Sequence, residues 1–345
     1  MEKLIPFTVH DLARVTNFRS GEVKFGEKMQ TIPKDADIAT FLKECDAKFV
    51  LLGVPEDIGV RANYGRPGAA SAWESAIKSI ANIQHNRFNK GSSILVLGHL
   101  NVEEEMKAVE SLDFNNIDER KELSKWVEKI DKEVSHIIFT IVKAGKIPIV
   151  IGGGHNNAYG NIKGTALAKG KAINAINFDA HSDFRILEGR HSGNGFSYAF
   201  EEGFLKKYFV FGLHESYTSK SVLHEIKKLE DRVRINTYDE INIRKQKDFR
   251  QEMEKAYTFI KNDFYGVEID LDSIPNIPSS AMTLSGFSVE ELRQFIHFFS
   301  QNENAAYLHI CEGAPDLGDE KNSHLVGKLI GYLVTDFIKA KSELE

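Results

Sequence analysis

Cysteine is scarce in this sequence, and its scarcity excludes two classes of protein. The chain of 345 residues contains only Cys45 and Cys311, which lie far apart and form no CxxC pair. A disulfide framework needs several cysteines, and a cysteine-rich zinc module needs closely spaced pairs. The sequence therefore favours a protein of a reducing compartment, and we expect it to be cytoplasmic.

Long apolar runs and clusters of basic residues are also missing. No apolar run approaches the roughly 20 residues of a membrane-spanning helix, and the first residues, MEKLIPFTVHDLARV, lack the continuous apolar core of a signal peptide. The 44 lysines and arginines are scattered among 50 aspartates and glutamates, with a formal net charge of -6. Because phosphate recognition requires concentrated positive charge, we expect neither a nucleic acid nor a membrane as a partner.

The sequence is built from short, continuous apolar runs separated by amphipathic stretches. The runs predict strands at 48–54, 93–97, 147–151, 173–178, 208–211, 232–236, 264–270 and 305–311. Apolar residues at three- and four-residue spacing predict a helix over 121–143 and another near the C-terminus. Strands that are apolar throughout belong to parallel sheets with helices on both faces. We therefore predict an α/β fold, a single-domain three-layer sandwich around a parallel sheet of about eight strands.

Polar side chains that can bind metals follow four of these predicted strands. The segments are VIGGGHNN with His155, NFDAHSDFR with Asp179, His181 and Asp183, VEIDLDSIP with Asp270 and Asp272, and HICEGAPD with Glu312. Residues that alternate in an extended backbone point to one side, so NFDAHSDFR would present three such groups together. Ligands bind beyond the carboxyl ends of parallel strands, and we expect the four segments to meet there.

Each segment alone also has a structural explanation. A single aspartate after a strand commonly caps a turn or a helix, and Gly152–Gly154 match neither a P-loop nor the GxGxxG pattern. Together, however, Asp179, Asp183, Asp270 and Asp272 would crowd four negative charges at one edge, which is costly without cations. Oxygen-rich ligation with two imidazoles suits two Mn²⁺ ions per subunit, although zinc, iron or nickel also accept these ligands. Such a pair activates water for attack on an electrophilic carbon.

As an ordered set, GGGH at 152–155, DAHSD at 179–183 and EIDLD at 268–272 resemble the metal motifs of the arginase (ureohydrolase) superfamily. The resemblance implies an N-terminal extension at 1–46 and an arginase-like catalytic domain at 47–345. It also implies two ligand sets, which are His155, Asp179, Asp183 and Asp270 for one metal and Asp179, His181, Asp270 and Asp272 for the other. In this family pattern Asp183 also acts in catalysis as a proton carrier, and Glu312 receives the amidinium or guanidinium group.

Other residues resemble the formimidoylglutamase branch of that superfamily. The first motif is GGGH where arginase usually has GGDH, and GVRANYGRPGAASAWESAI at 59–77 is similar to a stretch of that branch. Arg185 also fits this branch and could bind a substrate carboxylate with two parallel hydrogen bonds. A salt bridge between Arg185 and a nearby acid explains its presence equally well.

The segment HSGNGFSYAF is similar to arginase in one respect and differs from it in another. Ser192 and Asn194 retain the pattern that arginase uses around the substrate α-carboxylate. Phe196, however, stands where arginase has a proton-shuttling histidine, and Tyr217 stands where arginase has acids for the α-amino group. His191 or His214 could replace the missing shuttle, and both are also explained as ordinary loop residues.

These resemblances imply a hydrolase that cleaves a C–N bond of a linear amidine. The expected substrate is N-formimidoyl-L-glutamate, which would yield L-glutamate and formamide. Three alternatives stay open. The first is a guanidine hydrolase of the arginase, agmatinase or guanidinobutyrase type, which releases urea. The others are a non-catalytic binding subunit and a single-zinc amide deacetylase. The expected partner is the small-molecule substrate, and a homo-oligomer stays open because family members often assemble as trimers or hexamers.

Overall fold

A ten-stranded sheet forms the centre of the described part of the molecule. The computed structural model describes residues 3–34, 36–319 and 322–344. The strands are β1 (Leu4–Pro6), β2 (Gln30–Thr31), β3 (Phe49–Gly53), β4 (Ile94–Leu100), β5 (Ile147–Ile151), β6 (Ile173–Phe178), β7 (Leu205–Leu213), β8 (Val233–Thr237), β9 (Tyr265–Asp270) and β10 (Ala305–Cys311). Their order is β1-β4-β3-β5-β10-β9-β6-β7-β8, with β2 also paired to β4. The pairing of β1 with β4 is antiparallel, and the other pairings are parallel.

Helices cover both faces of this sheet. They are α1 (Val9–Val15), α2 (Ile38–Glu44), α3 (Ile58–Ala62), α4 (Ala72–Ala81), α5 (Glu103–Ala108), α6 (Ile117–Lys143), α7 (Asn157–Lys169), α8 (Gly195–Glu201), α9 (Lys220–Lys228), α10 (Phe249–Ile260), α11 (Val289–Ser300) and α12 (Ser323–Ser342). In the described residues, no helix has both the length and the apolar character needed to cross a membrane.

Separate apolar cores lie on the two faces of the sheet. Phe49 and Leu51 of β3 pack into the core that includes α4, α10, α11 and α12. Val50 and Leu52 of the same strand point the other way, into the core beneath α6. Because successive side chains of a strand alternate between faces, a strand covered on both sides must be apolar at every position. This explains the continuous apolar runs and confirms the predicted three-layer sandwich.

The eight predicted strands are all present, as β3 to β10, and two short strands join them. The additional strands, β1 and β2, come from residues 1–46, where no apolar run is long enough to be recognised. The chain passes β4 closely here, since a Cβ on Gly98, whose φ is 128°, would lie 2.0 Å from the carbonyl oxygen of Ile5. The helix predicted from 121 begins at Ile117, where the Asn116 side chain accepts hydrogen bonds from two backbone N–H groups and caps it.

The four strands that precede the polar segments are neighbours in the middle of the sheet. Their spatial order is β5, β10, β9 and β6, although they are widely separated along the chain. All three pairings between them are parallel. Their carboxyl ends therefore lie at one edge, and the loops that follow them share one surface.

Candidate metal centre

The six residues predicted to bind metals converge at this edge. Around His155, the Nδ1 atom lies 2.8 Å from Asp183 Oδ2 and 3.3 Å from both Asp179 Oδ2 and Asp270 Oδ2. Around His181, the Nδ1 atom lies 3.1 Å from Asp272 Oδ2 and 3.6 Å from Asp179 Oδ1. Asp179 thus has one carboxylate oxygen facing each imidazole. The structure brings together side chains from the carboxyl ends of three different strands.

These side chains form two overlapping groups of donor atoms. One ligand atom each from His155, Asp179, Asp183 and Asp270 lies within 4.8 Å of the others, and the same holds for Asp179, His181 and Asp272. Asp179 belongs to both groups. Asp270, which the family resemblance also assigns to both ligand sets, belongs only to the first group by this distance.

The hydrogen bonding of these groups is incomplete, which tests whether a metal fits here. Both ring nitrogens of His155 and the Oδ1 atom of Asp272 are buried, yet they have no hydrogen-bond partner in the described residues. The carboxylate oxygens close to His155 Nδ1 lie within reach but outside hydrogen-bonding geometry. Buried polar atoms are nearly always hydrogen-bonded, so such orphaned donor atoms require an explanation. Carboxylate oxygens and imidazole nitrogens aimed at a common point are a suitable donor set for Mn²⁺. The residues present therefore fit divalent metal ions.

The electrostatics lead to the same conclusion. Burial, and then the charges of Asp272 and Asp179, raise the pKa of Asp270 well above its ordinary value. Burial and the charge of Asp179 likewise raise the pKa of Asp183. Carboxyl groups in this condition resist ionisation unless a cation compensates their charge. The cluster is therefore arranged to be completed by positive charge.

Glu56 holds the loop that carries His155, a role that the sequence analysis missed. Its Oε1 atom accepts hydrogen bonds from Gly154 N at 3.2 Å, Asn156 Nδ2 at 3.1 Å and Asn157 Nδ2 at 2.6 Å. The side chain is completely buried and follows β3, the neighbour of β5. The signal in the sequence was an acid directly after a predicted strand, in GVPED.

Asn177 orients Asp179 and was also missed. Its Nδ2 atom donates to Asp179 Oδ2 at 2.8 Å and to the hydroxyl oxygen of Tyr208 at 2.9 Å. The two residues alternate at the end of β6, so their side chains lie on the same side of the strand. The detectable signal was a buried asparagine within the apolar run INAINF.

A cavity of about 560 Å³ opens over the carboxylate cluster. Its lining includes Asp183, Asp270 and Asp272 from the cluster, together with Glu312 and Arg185. Among the described lining residues, Arg185 is the only lysine or arginine. The cavity lining therefore combines several carboxylates with a single guanidinium group.

Glu312 lies in the wall of this cavity and is held at both carboxylate oxygens. Its Oε1 atom accepts from His155 N at 2.8 Å, and its Oε2 atom accepts from the Ser280 hydroxyl at 2.9 Å. Burial, and then the charge of Asp272, raise the pKa of Glu312 to about 8. A cationic group of a ligand would favour the ionised carboxylate here. The position suits the predicted recognition of an amidinium or a guanidinium.

Arg185 lines the cavity and also forms a salt bridge. Its Nη2 atom donates to Glu188 Oε1 at 2.6 Å, and its Nη1 atom donates to Asn63 Oδ1 at 3.0 Å. The amide of Asn63 in turn donates to the Ser192 hydroxyl at 3.2 Å, and Ser192 lies in the same wall. Two of the five N–H donors of the guanidinium are occupied by these contacts, and the others are free of them.

We predicted from the sequence that Asn194 contacts the substrate, but the structure places its side chain within its own loop. The side chain is completely buried, and its Nδ2 atom donates to the carbonyl of Gly189 at 2.8 Å. Its Oδ1 atom accepts from Arg190 Nη1 at 2.6 Å and from His191 N at 3.1 Å. It is not among the described residues that line the cavity. The structure thus brings Arg185 and Ser192 to the cavity, while Asn194 stabilises the loop behind them.

The two alternative shuttle histidines are both engaged in loop structure. His191 Nδ1 accepts a hydrogen bond from Gly193 N at 3.1 Å, and burial together with the charge of Arg185 lowers the pKa of His191 to about 4. The ring of His214 is stacked between Tyr217 and Tyr238, with centroids 5.1 and 4.8 Å away. Neither ring is among the described residues that line the cavity.

The parallel sheet, with carboxylates and imidazoles collected at the carboxyl ends of its central strands, defines an α/β protein with a candidate metal centre at one edge of the sheet. The sequence model of the Arginase family matches residues 47–335, well over half of the chain. The chain belongs to the arginase family. It is accordingly a hydrolase that acts on C–N bonds, as the sequence predicted.

Several relatives of this chain carry a more specific name. A formimidoylglutamase of Macrococcus caseolyticus is 26% identical over 286 residues, which cover 82% of this chain and 83% of that protein. A formimidoylglutamase of Chromobacterium violaceum is 26% identical over 250 residues, which cover 70% of this chain and 71% of that protein. These relatives confirm the predicted resemblance to the formimidoylglutamase branch.

Solved structures share the fold along nearly the whole chain. The crystal structure of formimidoylglutamase from Bacillus subtilis has a TM-score of 0.73 at 18% identity and covers 95% of each chain. The structure of Trypanosoma cruzi formiminoglutamase with Mn²⁺ has a TM-score of 0.69 at 19% identity and covers 92% of this chain and 98% of that one. At these identities the likeness shows the fold, and it confirms the predicted arginase-like sandwich.

Proposed function

We propose that this hydrolase cleaves the formimino C–N bond of N-formimidoyl-L-glutamate and releases L-glutamate and formamide. The observation that carries the proposal is that Glu312 and Arg185 line one cavity with the carboxylate cluster. An acid suits the amidinium group of this substrate, and an arginine suits its distal carboxylate. Relatives named formimidoylglutamase support the same substrate.

We also propose that two Mn²⁺ ions complete the site. His155, Asp179, Asp183 and Asp270 would hold one ion, and Asp179, His181, Asp270 and Asp272 would hold the other. The unpaired buried atoms of His155 and Asp272 support this assignment, as does the Mn²⁺ of the Trypanosoma cruzi protein. When bound, two such ions lower the pKa of water and supply a nucleophile near neutral pH.

The protein side chains would bind the substrate and move its protons. Glu312, held by the His155 N–H and the Ser280 hydroxyl, accepts hydrogen bonds from the amidinium and fixes its plane. Water adds its oxygen to the formimino carbon, and the bond from that carbon to the glutamate nitrogen then breaks. Asp183 lines the cavity and carries the proton from the water to the departing nitrogen, which leaves as the amine of glutamate.

Within the same cavity, Arg185 would bind the distal carboxylate. Asn63 and Glu188 hold the guanidinium at one donor each and leave further N–H groups for the substrate. Ser192 lies in the same wall and would contribute a hydroxyl. Asn194 would act indirectly, because its amide stabilises the loop that carries these residues.

One observation favours a second candidate function, the hydrolysis of a guanidino amino acid to release urea. Glu188 Oε1 lies 2.6 Å from Arg185 Nη2, and both residues line the cavity. A free amino acid such as arginine carries a carboxylate and an ammonium on one carbon. Arg185 would donate hydrogen bonds to the carboxylate, and Glu188 would accept them from the ammonium.

The organisation of the chain completes the proposal. We propose a catalytic unit at residues 47–345 and an N-terminal extension at 1–46, which adds β1 and β2 to the sheet. The partner would be a small molecule, and the cytoplasm is the compartment in which we expect the protein to act. Convergence of all six predicted ligands argues against a non-catalytic binding subunit.

A direct assay separates these functions. Metal-stripped protein reconstituted with Mn²⁺ is incubated in parallel with formimidoylglutamate, arginine, agmatine and guanidinobutyrate, and the products are measured by mass spectrometry. Formamide and glutamate in equal amounts are the expected result. Urea without formamide would support the second candidate, and no product from a protein that binds Mn²⁺ would support a binding subunit.

A further inference from the structure

A second polar cluster is buried on the far side of His155 from the carboxylates. It consists of Glu268 on β9 and of Tyr307 and His309 on β10, each completely buried. Glu268 and His309 are directly paired in the register of the two strands. The proposed reaction uses none of these three residues, although a buried carboxylate is costly to retain.

Glu268 is held in one position by donors on both of its oxygens. The hydroxyl of Tyr307 donates to Oε1 at 2.6 Å, and His309 Nδ1 lies 2.6 Å from Oε2. Since an ionised carboxylate can only accept, His309 carries its proton on Nδ1. Tyr307 packs against Gly266, where a Cβ would lie 2.1 Å from its ring, so a glycine is required for this contact. Tyr307 and His309 therefore hold the Glu268 carboxylate in a fixed position.

His155 lies between this support and the candidate metal centre. Its Nδ1 atom faces Asp179, Asp183 and Asp270 at 2.8 to 3.3 Å. Its Nε2 atom lies 3.5 Å from Glu268 Oε2 and has no hydrogen-bond partner within the described ranges. An imidazole that offers one nitrogen to a metal carries a proton on the other, and that N–H needs an acceptor. Glu268 is the carboxylate that faces it.

We propose that Glu268 is a positioning residue for His155. It receives the Nε2–H group and thereby selects the tautomer whose Nδ1 lone pair points at the candidate metal centre. Tyr307 and His309 keep the carboxylate in place. The inference rests on the metal centre proposed above, and it is independent of which amidine or guanidine is the substrate.

Calorimetric titration of metal-stripped protein with Mn²⁺ tests this proposal. In Glu268→Gln one of the two binding events should weaken by roughly 10- to 100-fold, because loss of such a partner has that effect on metal affinity. The other binding event, which would involve His181 and not His155, should change much less. A general loss of fold would weaken both events together, so the ratio of the two affinities distinguishes positioning from a merely structural role.

Two further variants make the test decisive. Glu252→Gln removes a different buried carboxylate, which accepts from Asn236 Nδ2 at 3.2 Å in another part of the structure, and it should bind Mn²⁺ like the wild type. Tyr307→Phe removes one support of Glu268 and should weaken the same event by a smaller factor. This variant decides the question if Glu268→Gln does not fold.

The outcomes separate this inference from the proposed substrate. If Glu268→Gln and Tyr307→Phe both retain the wild-type affinities at both events, the positioning role is refuted. If the wild type binds two Mn²⁺ ions and yields no formamide, only the substrate proposal fails. If the wild type binds no Mn²⁺, the metal centre and the role of Glu268 fail together.

Discussion

Phe196 packs edge-on against the imidazole of His155, with ring centroids 5.1 Å apart and ring planes at 85°. Phe196 is completely buried and occupies the position where the resemblance to arginase places a proton-carrying histidine. A phenyl ring cannot carry a proton, and here it covers a candidate metal ligand with an apolar surface. In the proposed reaction, proton transfer would therefore use another group, and Asp183 lines the cavity.

Asp179 is expected to be indispensable because it belongs to both groups of donor atoms. Asp179→Ala should remove the second Mn²⁺ binding event and reduce kcat by at least about 100-fold, since metal activation of water contributes several kcal/mol. Metal content and product formation are measured together. Asp263→Ala is the matched control, because Asp263 forms ion pairs with Lys171 and Lys206 away from the cluster. Activity within about threefold of the wild type would contradict the proposed centre.

Arg185 is expected to act in binding and not in metal retention. Arg185→Ala should raise KM for a substrate with a distal carboxylate by about 10- to 100-fold. This factor corresponds to the free energy that a hydrogen bond to a charged group contributes to binding. The Mn²⁺ content should stay unchanged, and Arg185→Lys should recover only part of the loss because lysine lacks the planar fork. Agmatine has no carboxylate and provides the control substrate. An equal loss with agmatine would show that Arg185 supports the loop instead.

Substitution of Glu188 is expected to change KM in opposite directions for the two candidate substrates. With formimidoylglutamate, Glu188→Gln removes a negative charge beside the bound carboxylate and should lower KM by about two- to fivefold. With arginine, the same change removes the acceptor for the α-ammonium and should raise KM. Steady-state kinetics with both substrates give the sign of each change. A KM that stays constant for both would show that Glu188 has no part in selecting the substrate.

Lys341 is expected to give the stability of the fold a particular pH dependence. Its buried ammonium donates to the carbonyls of Asn302 and Glu303, and burial, with the charge of Lys48, lowers the pKa of Lys341 from 10.5 to about 7. Between these values the unfolded chain binds the proton and the folded chain releases it, so this group's contribution to stability rises with pH.

The variant Lys341→Met isolates that contribution. The free energy of unfolding of the wild type, minus that of the variant, should increase as the pH rises from about 7 to 10. Urea unfolding followed by circular dichroism at several pH values measures the difference. If the free energies of unfolding of the two proteins change with pH in parallel, burial does not destabilise the ammonium of Lys341.

Much of the fold follows from local physical chemistry. Strands β3 to β10 are covered on both faces, so each reads as a continuous apolar run, and helices α6 and α12 show their apolar periodicity directly. The predicted start of α6 is four residues late because its first turn, IDER, is mostly polar and contains no buried residue. Strands β1 and β2, with three and two residues, are too short to leave a pattern.

Within the site, local sequence could identify donor residues but not their partners. Ser192 and Asn194 lie two residues apart in one motif, yet the first lines the cavity and the second is committed to its own loop. Arg185 could be read as a substrate contact or as a salt bridge, and the structure shows both the cavity position and the contact with Glu188. Such outcomes depend on loop geometry, which no spacing rule encodes.

The sequence by itself determined that this protein has a parallel sheet and that carboxylates, imidazoles and Glu312 stand where four of its strands end. Burial and backbone alternation impose those patterns residue by residue, so they can be read without a structure. Only the tertiary structure decided that β5, β10, β9 and β6 are neighbours and that Glu268 lies behind His155. Strand order arises from packing between segments far apart in the chain, and no local pattern records it.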